Sequence, residues 1–391
     1  LNGTDADVEK VDFSTDTTLA IRYGGSLVPI SNDEMLFFGG IDERFTDGED
    51  PAAYLHWFEA SVNDSVVPLK TADYIEYKSA GDFWKVLEAT ALATPRFGHQ
   101  ALALDDARIV VLGGLAVVPR RVAQPAAEFY DPIYETFKTY GLFTQGSAYA
   151  PLGEPPFGAL LSIGGLDAHT GAVTKRVRRY NVGTDLFNDA PALKEFARRD
   201  HSATRLVEEF DQFYLIAGGI SGENQVLSSL TLFNPFSGTE QNLPVGLQTP
   251  RYKHTATLLD DGRILVCGGL GSNSAPLNTC EIVTPPEDPE DLDTFDTAEV
   301  NQVSNYLSAN RVGHSATLLD NGDVLIYGGG NLENTIGTED LYIFIPPDPS
   351  TASDFPHGYL KPTAFNSEGG NSRSGHAAVF IGAGQVLLAG G

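Results

Sequence analysis

The sequence has few basic residues and contains no long apolar run. Of its 391 residues, 52 are acidic and 25 are basic, which gives a net charge of −27 at pH 7. Such a charge repels polyanions at long range, so we expect no binding of nucleic acid or of anionic lipid. No apolar run approaches the roughly 18 residues that a membrane-spanning helix requires, so no membrane span is predicted.

Sequence signatures of common catalytic sites are also missing. The chain contains no Gly-x-Ser-x-Gly, no His-Glu-x-x-His and no P-loop sequence. The segment Phe380-Ile-Gly-Ala-Gly384 has the start of a nucleotide-binding loop but lacks its third glycine, and we interpret it as a hairpin turn. Catalysis is therefore the minority hypothesis, and we predict no cofactor and no metal ion.

A hairpin pattern recurs seven times along the chain. In its clearest copy, residues 311–329, an apolar run is followed by Asp320-Asn321-Gly322 and then by a β-branched run that ends in Gly328-Gly329. Asn-Gly tolerates the positive φ of a tight hairpin turn. The second glycines of the copies fall at positions 40, 114, 165, 219, 269, 329 and 391. A repeat every 50 residues or more, with insertions, is typical of a β-propeller.

A second repeated unit, aromatic and acidic, lies between the hairpins and predicts the third and fourth strands of each blade. Its copies include 74–77, 127–132, 177–181, 230–235, 280–283 and 341–344. The Gly-Gly ending, this third strand and the period together resemble the kelch repeat family of β-propellers over essentially the whole chain. The resemblance implies an all-β fold, a seven-bladed kelch-type propeller forming a single domain over residues 1–391.

The two ends of the chain are predicted to complete one blade together. The seventh hairpin stops at Gly391 with no third strand behind it, whereas residues 7–13 match the third-strand unit and precede the first hairpin. We therefore predict that residues 5–20 pair with residues 373–391. This composite blade would close the ring and remove its exposed edges.

Three insertions interrupt the period, at residues 41–72, 284–310 and 345–372. The first carries Tyr54, His56, Trp57 and Phe58 among acidic residues. It is either a plug that covers a blade edge or a loop that recognises a partner, and the sequence leaves both open.

The other two insertions are predicted to be solvated loops. A calcium site in the second would use Asp288, Asp291, Asp293 and Asp296, but the run lacks the ligand and glycine pattern of an EF-hand. We therefore predict no calcium site there.

An Arg-x-x-His motif opens five of the hairpins. Its members are Arg96 and His99, Arg198 and His201, Arg251 and His254, Arg311 and His314, and Arg373 and His376; the two weaker hairpins have Gly25 and Ser147 at the histidine position. Such a ring could gather an anion or a metal near the axial channel. Residues that recur once per blade usually do the same structural work in each, and equal spacing around a circumference does not converge on one metal. We favour a structural role at the Gly-Gly corner.

The kelch resemblance extends to the central propeller of galactose oxidase, but not to its chemistry. That copper site uses two tyrosines, two histidines and a cysteine cross-linked to one tyrosine, and no such set is present here. The repeated Asp-box of sialidase propellers is also missing. We predict a non-catalytic interaction or structural-assembly module that presents loops to a protein partner. The alternative is a carbohydrate-binding or carbohydrate-active propeller that uses loop 41–72 and the channel mouth.

The two cysteines, Cys267 and Cys280, are predicted to lie on adjacent antiparallel strands of one blade. Directly opposed positions would allow a disulfide, whereas a register shift of two residues would not, and a free cysteine often serves as a small buried apolar side chain. The sequence leaves the register open. We expect an exported protein, periplasmic, cell-surface or secreted. The first residue, Leu1, permits removal of a leader, and a disulfide would support export.

The first prediction concerns Trp57. If residues 41–72 form a recognition loop, Trp57→Ala should weaken partner binding about tenfold or more and leave the melting temperature nearly unchanged, because aromatic residues commonly anchor interfaces. Titration calorimetry and thermal unfolding measure the two quantities. A large loss of stability with unchanged binding would instead identify the loop as a plug.

Overall fold

In the structure, a computed structural model, the regular secondary structure is almost entirely β-strand in the described part. Residues 1–21 and 390–391 lie outside its described part, and so do several internal segments. These segments are residues 24, 31–33, 43–71, 79–82, 105–107, 119, 124–125, 143–146, 149–151, 154–158, 168–169, 182–183, 185, 196, 208–209, 211, 331–340, 348–352, 364–373 and 383–384. No helix in the described part has the length and apolar character needed to cross a bilayer.

The strands are numbered in chain order. Up to residue 190 they are β1 (Arg22–Tyr23), β2 (Ser26–Pro29), β3 (Glu34–Phe38), β4 (Ile41–Asp42), β5 (Ala72–Lys78), β6 (Phe83–Ala89), β7 (Phe97–Ala103), β8 (Ile109–Val118), β9 (Arg120–Ala123), β10 (Ala126–Asp131), β11 (Thr136–Leu142), β12 (Ser147–Ala148), β13 (Leu152–Gly153), β14 (Ala159–Ile163), β15 (Leu166–Asp167), β16 (Val177–Asn181) and β17 (Leu186–Ala190). Beyond it they are β18 (Arg198–Arg199), β19 (Ser202–Arg205), β20 (Tyr214–Ala217), β21 (Ile220–Ser221), β22 (Ser229–Asn234), β23 (Thr239–Gly246), β24 (Thr255–Leu258), β25 (Ile264–Cys267), β26 (Cys280–Thr284), β27 (Glu299–Gln302), β28 (Val312–Leu318), β29 (Val324–Gly330), β30 (Leu341–Ile345), β31 (Tyr359–Thr363), β32 (Ala377–Gly382) and β33 (Gln385–Ala389).

These strands form the antiparallel sheets of a β-propeller. Sheet one has the order β2-β3-β5-β6, sheet three β13-β14-β16-β17, sheet four β19-β20-β22-β23, sheet five β24-β25-β26-β27 and sheet six β28-β29-β30-β31. Sheet two follows the same path, β7-β8-β10-β11, with β9 added beside β8. The last hairpin, β32-β33, is a two-stranded sheet.

The prediction of seven complete blades is wrong for the part of the chain that the structure describes. Five sheets have four strands, sheet two has five, and the last hairpin has two. Sheet two gains its fifth strand because the chain after Gly114 continues as β8 and turns back as β9. Residues 5–20, predicted to complete the last blade, lie outside the described residues, and so does part of their partner segment 373–391.

The first strand of each sheet lies innermost and contacts its neighbours in order. The contacts run from β2 to β7, β13, β19, β24, β28 and β32, and from β32 back to β2. Connections from first to second and from third to fourth strands emerge on one face, here called the turn face. Connections from second to third strands, and from each sheet to the next, emerge on the opposite face, here called the loop face.

The hydrophobic core lies between the sheets. Each main cluster draws buried side chains from two neighbours: sheets one and two share Phe38 and Tyr130, for example, and sheets three and four share Val177 and Tyr214. Another cluster packs Phe37 of sheet one against Leu387 of the last hairpin. Because each sheet buries both faces, its second strand is largely a continuous apolar run, as in the fully buried β25.

Two of the predicted loops contain regular structure. Range 284–310 includes the outer strand β27 and a short 3-10 helix, Leu292–Thr297. Phe295 and Ala298 are buried against sheet four, so this segment is not simply a solvated loop. Range 345–372 likewise contains the outer strand β31. The repeated unit predicted a fourth strand in each blade, but these two segments were assigned to loops because their residues are mostly polar.

The strand register places the two cysteines directly opposite each other. Cys267 of β25 pairs with Cys280 of β26, their Cα atoms lie 4.1 Å apart, and the two sulfurs form a disulfide. Both residues are fully buried, and Cys267 and Cys280 pack between sheets five and six. The bond links the second and third strands of sheet five across a separation of 13 residues.

Removing this disulfide should lower the free energy of unfolding. Closing a loop of this length stabilises a chain by about 2–3 kcal/mol, so we expect Cys267→Ala/Cys280→Ala to lose roughly that amount in urea titrations. The native protein, denatured without reductant, should take up no alkylating reagent in an intact-mass measurement. Two alkylated thiols before reduction would contradict the bond.

Candidate functional site at the sheet junctions and on the turn face

Each described arginine of the Arg-x-x-His motifs bridges two neighbouring sheets. Its main-chain carbonyl accepts a hydrogen bond from the second glycine of the preceding Gly-Gly pair, as in Gly165 N to Arg198 O at 2.8 Å and Gly269 N to Arg311 O at 3.0 Å. Its guanidinium turns back to donate to the first Gly-Gly carbonyl of its own sheet, as in Arg311 to Gly328 O at 3.0 Å. Arg96, Arg198, Arg251 and Arg311 are all buried, and Arg373 lies outside the described residues.

Two of these arginines pair with a buried glutamate. Arg96 contacts Glu128 Oε1 at 2.6 Å, and Arg251 makes the equivalent ion pair with Glu281. Each glutamate also accepts main-chain hydrogen bonds: Glu281 takes those of Gln248 at 2.6 Å and Thr249 at 3.2 Å. The carboxylate therefore neutralises the arginine and also fixes the chain segment that leads into the motif.

The other two arginines have uncharged partners at the same place in the third strand. Arg198 donates to the hydroxyls of Ser229 and Thr231, at 3.3 and 3.4 Å. Arg311 lies over the ring of Tyr342, with its Cζ 5.3 Å from the ring centroid. The residue at this position of the third strand thus determines how each arginine is satisfied; it is Glu128 in β10, Thr231 in β22, Glu281 in β26 and Tyr342 in β30.

Burial lowers the pKa of these guanidinium groups. It lowers the pKa of Arg198 to about 10, although the carboxylates of Glu240 and Glu195 act in the opposite direction. Burial also lowers the pKa of Arg96 and of Arg251, and in each case the paired glutamate opposes the change. Arg198 remains a cation at neutral pH, since about 10 lies well above 7.

The histidine of each motif packs against the Gly-Gly pair of the preceding sheet. A Cβ added at Gly268 would lie 2.5 Å from His314 Cε1 and 2.8 Å from Arg311 O, so only glycine fits. Nε2 of the ring shares a hydrogen bond with a hydroxyl of the preceding first strand: His314 with Thr255 at 3.0 Å and His254 with Ser202 at 2.9 Å. His376 bonds to Ser315 in the same way, at 2.8 Å.

His201 and His99 lack this hydroxyl contact. Neither ring nitrogen of His201 has a hydrogen-bond partner among the described residues, and the same holds for His99. The pairing of Ser147 with Asp167 matches that of Arg198 with Ser221, so Ser147 occupies the arginine position and not, as predicted, the histidine position.

Burial keeps these histidines uncharged. It lowers the pKa of His99, His254 and His314 to about 3, and the charge of the arginine in the same motif lowers it further. The pKa of His201 is also lowered well below its usual value, by the same two effects. A neutral ring in a dry junction suits packing, whereas an anion-binding ring would need charged, accessible imidazoles.

The described motif residues therefore form sheet junctions. Their polar atoms are buried and point to neighbouring glycines, hydroxyls and carboxylates, not to a shared point on the axis. Within the described residues, no group of three or more His, Cys, Asp or Glu side chains is placed to hold a metal ion. In the segment considered for calcium, Asp291 caps the 3-10 helix by accepting from Asp293 N, and Asp288 accepts from Glu290 N.

A different surface emerges from the exposed apolar side chains. Six large ones are exposed in the described chain, and five of them lie on or beside turn-face connections of sheets two, three and four; these five are Ile133, Tyr134, Leu186, Val207 and Phe236. The sixth, Tyr306, lies on the loop face, in the connection from β27 to β28. Tyr134 is 68% exposed and Ile133 is 84% exposed, which is unusual for neighbouring apolar residues.

The residues that the sequence predicted to bind a partner are different from those of this exposed surface. Tyr54, His56, Trp57 and Phe58 lie outside the described residues, so their role stays a prediction. Glu128 and Glu281 were not predicted from the sequence. Each is the second residue of its repeated third-strand unit, and the residue that follows it is aromatic or aliphatic. The turn-face residues were missed because single apolar residues within turns give no periodic signal.

Comparison with known proteins supports the fold. The chain matches no known protein family and no curated protein sequence. Among solved structures it is similar to one described as "Structure of YjhT", with a TM-score of 0.58 and 10% sequence identity, over 89% of this chain and 98% of that one. At this identity the likeness concerns the β-propeller fold alone.

Removing the charge of Glu281 should strongly destabilise the protein. Glu281→Gln keeps the shape but leaves Arg251 as a buried cation without a counter-charge, which we expect to cost about 3–5 kcal/mol in chemical denaturation. The control is Glu299→Gln, at an exposed carboxylate in the neighbouring strand β27, which should change stability by less than about 0.5 kcal/mol. Equal effects of the two variants would contradict the buried ion pair.

Stability should fall with decreasing pH because the junction histidines resist protonation. In the unfolded chain a histidine titrates near 6.5, whereas in the folded protein His254 and His314 titrate at about 3. The unfolded state therefore binds more protons as the pH falls from about 6.5 towards 3, and stability is lost in that window. His254→Gln, whose amide can still reach Ser202, should make the loss of stability between pH 7 and pH 5 smaller. Parallel curves for the variant and the natural protein would contradict this account.

Proposed function

We propose that the chain is a non-catalytic interaction or structural-assembly module, a rigid propeller that presents surface residues to a protein partner. One observation carries the proposal. The arginines and histidines of the described motifs are used inside the sheet junctions, whereas five of the six large apolar side chains exposed in the described chain lie on or beside the turn face. Exposed apolar groups on turns held by a rigid scaffold are typical of binding surfaces.

A finer architecture belongs to the same proposal: a closed, kelch-like ring in which residues 5–20 pair with the last hairpin. Three observations support it. The innermost strands contact one another in a closed order of seven, from β2 to β32 and back. Leu387 and Ala389 of the last hairpin pack against Phe37 and Met35 of sheet one. In the described residues β33 pairs only with β32, which leaves its other edge for a further strand.

Export is also part of the proposal. The disulfide between Cys267 and Cys280 supports it, because such bonds form and persist mainly in oxidising compartments. The exported protein would be periplasmic, attached to the cell surface or secreted.

The function is tested by isolating the native protein with whatever co-purifies and then titrating each purified component against the recombinant chain. We expect saturable binding of a protein at micromolar or lower concentration. Glycan-array screening of the same chain tests the carbohydrate-binding alternative. Saturable binding of a sugar in the absence of any protein partner would contradict the proposal.

Deleting residues 1–20 tests the closure. The last hairpin would lose a strand edge and part of its buried face, so we expect the free energy of unfolding to fall by several kcal/mol, about 25 cal/mol for each Å² of apolar surface exposed. Thermal and urea unfolding measure the change. An unchanged melting temperature would show that these residues do not complete the blade.

A further inference from the structure

The exposed apolar residues form a sector of the turn face that spans three consecutive sheets. This apolar sector consists of Ile133, Tyr134, Leu186, Val207 and Phe236. All except Val207 lie at connections between third and fourth strands, and Val207 lies between the first and second strands of sheet four. Because these connections share one face, their side chains are available to a single partner.

Two aromatic rings of the apolar sector are held in place by cations of their own chain. Lys138 Nζ lies 4.8 Å from the centroid of the Tyr134 ring, and Arg179 Cζ lies 5.6 Å from that of Phe236. A cation over a ring favours one ring orientation. Rings ordered before binding lose less conformational entropy when a partner docks, so they are suited to act as anchors.

The turn face of sheets five and six is strongly acidic. Its described connections, residues 259–263, 285–298, 319–323 and 353–358, contain eleven acidic residues and one basic residue, Arg263. This acidic sector consists of Asp260, Asp261, Glu287, Asp288, Glu290, Asp291, Asp293, Asp296, Asp320, Asp323 and Asp354. Most of these side chains are exposed.

The two sectors adjoin at sheet four. The segment 285–298 leans onto that sheet, where Phe295 and Ala298 are buried in its cluster. Gln212, in the same connection as Val207, donates to Glu290 Oε1 at 2.6 Å. The acidic segment therefore borders the apolar sector directly, and one ligand can reach both.

We infer that the turn face binds a basic, amphipathic polypeptide segment of another protein. Its apolar side chains dock on the apolar sector and its Lys or Arg side chains meet the acidic sector. This inference rests on the proposed function and names the chemistry of the partner. The net charge of −27 attracts a basic partner at long range, whereas it repels a second copy of this chain.

The probe is a displayed library of random twelve-residue peptides, selected on the immobilised full chain. Selected sequences should be enriched in Lys and Arg together with aromatic or large aliphatic residues. Affinity for the best peptide, measured by fluorescence anisotropy, should decrease as salt concentration rises, because the charge contacts are screened.

Matched variants locate the binding surface. Tyr134→Ser and Phe236→Ser should each weaken peptide binding about tenfold or more, since they remove aromatic anchors. Asp293→Asn/Asp296→Asn should weaken binding and reduce its salt dependence. The controls lie on the loop face: Tyr306→Ser and Glu223→Gln, both at exposed residues, should leave affinity unchanged. All variants should keep the melting temperature within a few degrees.

Several results would overturn the inference. Enrichment of acidic or uncharged peptides would do so, and so would loss of binding with the loop-face variants but not with the turn-face variants. Self-association that Tyr134→Ser abolishes, measured by sedimentation velocity, would assign the surface to a second copy. If a native protein partner still binds Tyr134→Ser and Phe236→Ser, it docks on another surface. That result would overturn this inference and leave the proposed scaffold function intact.

Discussion

The propeller depends on a buried arginine that is bonded to two Gly-Gly pairs at once. Its carbonyl accepts from the pair before it, as Arg251 does from Gly219 N at 2.9 Å, and its guanidinium donates to the pair of its own sheet, as Arg251 does to Gly268 O at 3.0 Å. Both glycines of a pair have positive φ, for example 57° and 85° at Gly268 and Gly269. Each junction thus requires glycine because the backbone has positive φ. It requires arginine because the long side chain reaches the Gly-Gly carbonyl of its own sheet, and the histidine ring fills the remaining space.

This arrangement commits the described polar groups of the repeated motif to contacts within the chain. A guanidinium removed from water needs compensating contacts, and the chain supplies a glutamate, hydroxyls or an aromatic ring beside it. On the function proposed above, recognition falls to residues outside the repeat, and on the turn face these are apolar side chains carried by turns whose ends the sheets fix in place.

Much of the fold could be predicted from the sequence because hairpins leave a local pattern. The Gly-Gly ending and the alternation around Asn321-Gly322 depend on neighbouring residues, and they indicate the strands correctly. Contacts between residues that are distant in the sequence leave no such pattern. The register that opposes Cys267 to Cys280, the pairing of Arg251 with Glu281, and the shift that places Ser147 at the arginine position all depend on residues brought together by folding. Polar outer strands such as β27 were missed because they bury few side chains.

Native-state hydrogen exchange of the second glycine in each pair tests the central claim most directly. The amides of Gly40, Gly165, Gly219 and Gly269 each donate to an arginine carbonyl of the next sheet. If the junctions hold the ring together, these amides exchange only when the whole protein unfolds, with the same free energy as core amides such as that of Ile216. Exchange at the rate of surface turns, under conditions where the core stays protected, would show that the sheets are held together by apolar packing alone and would contradict the account.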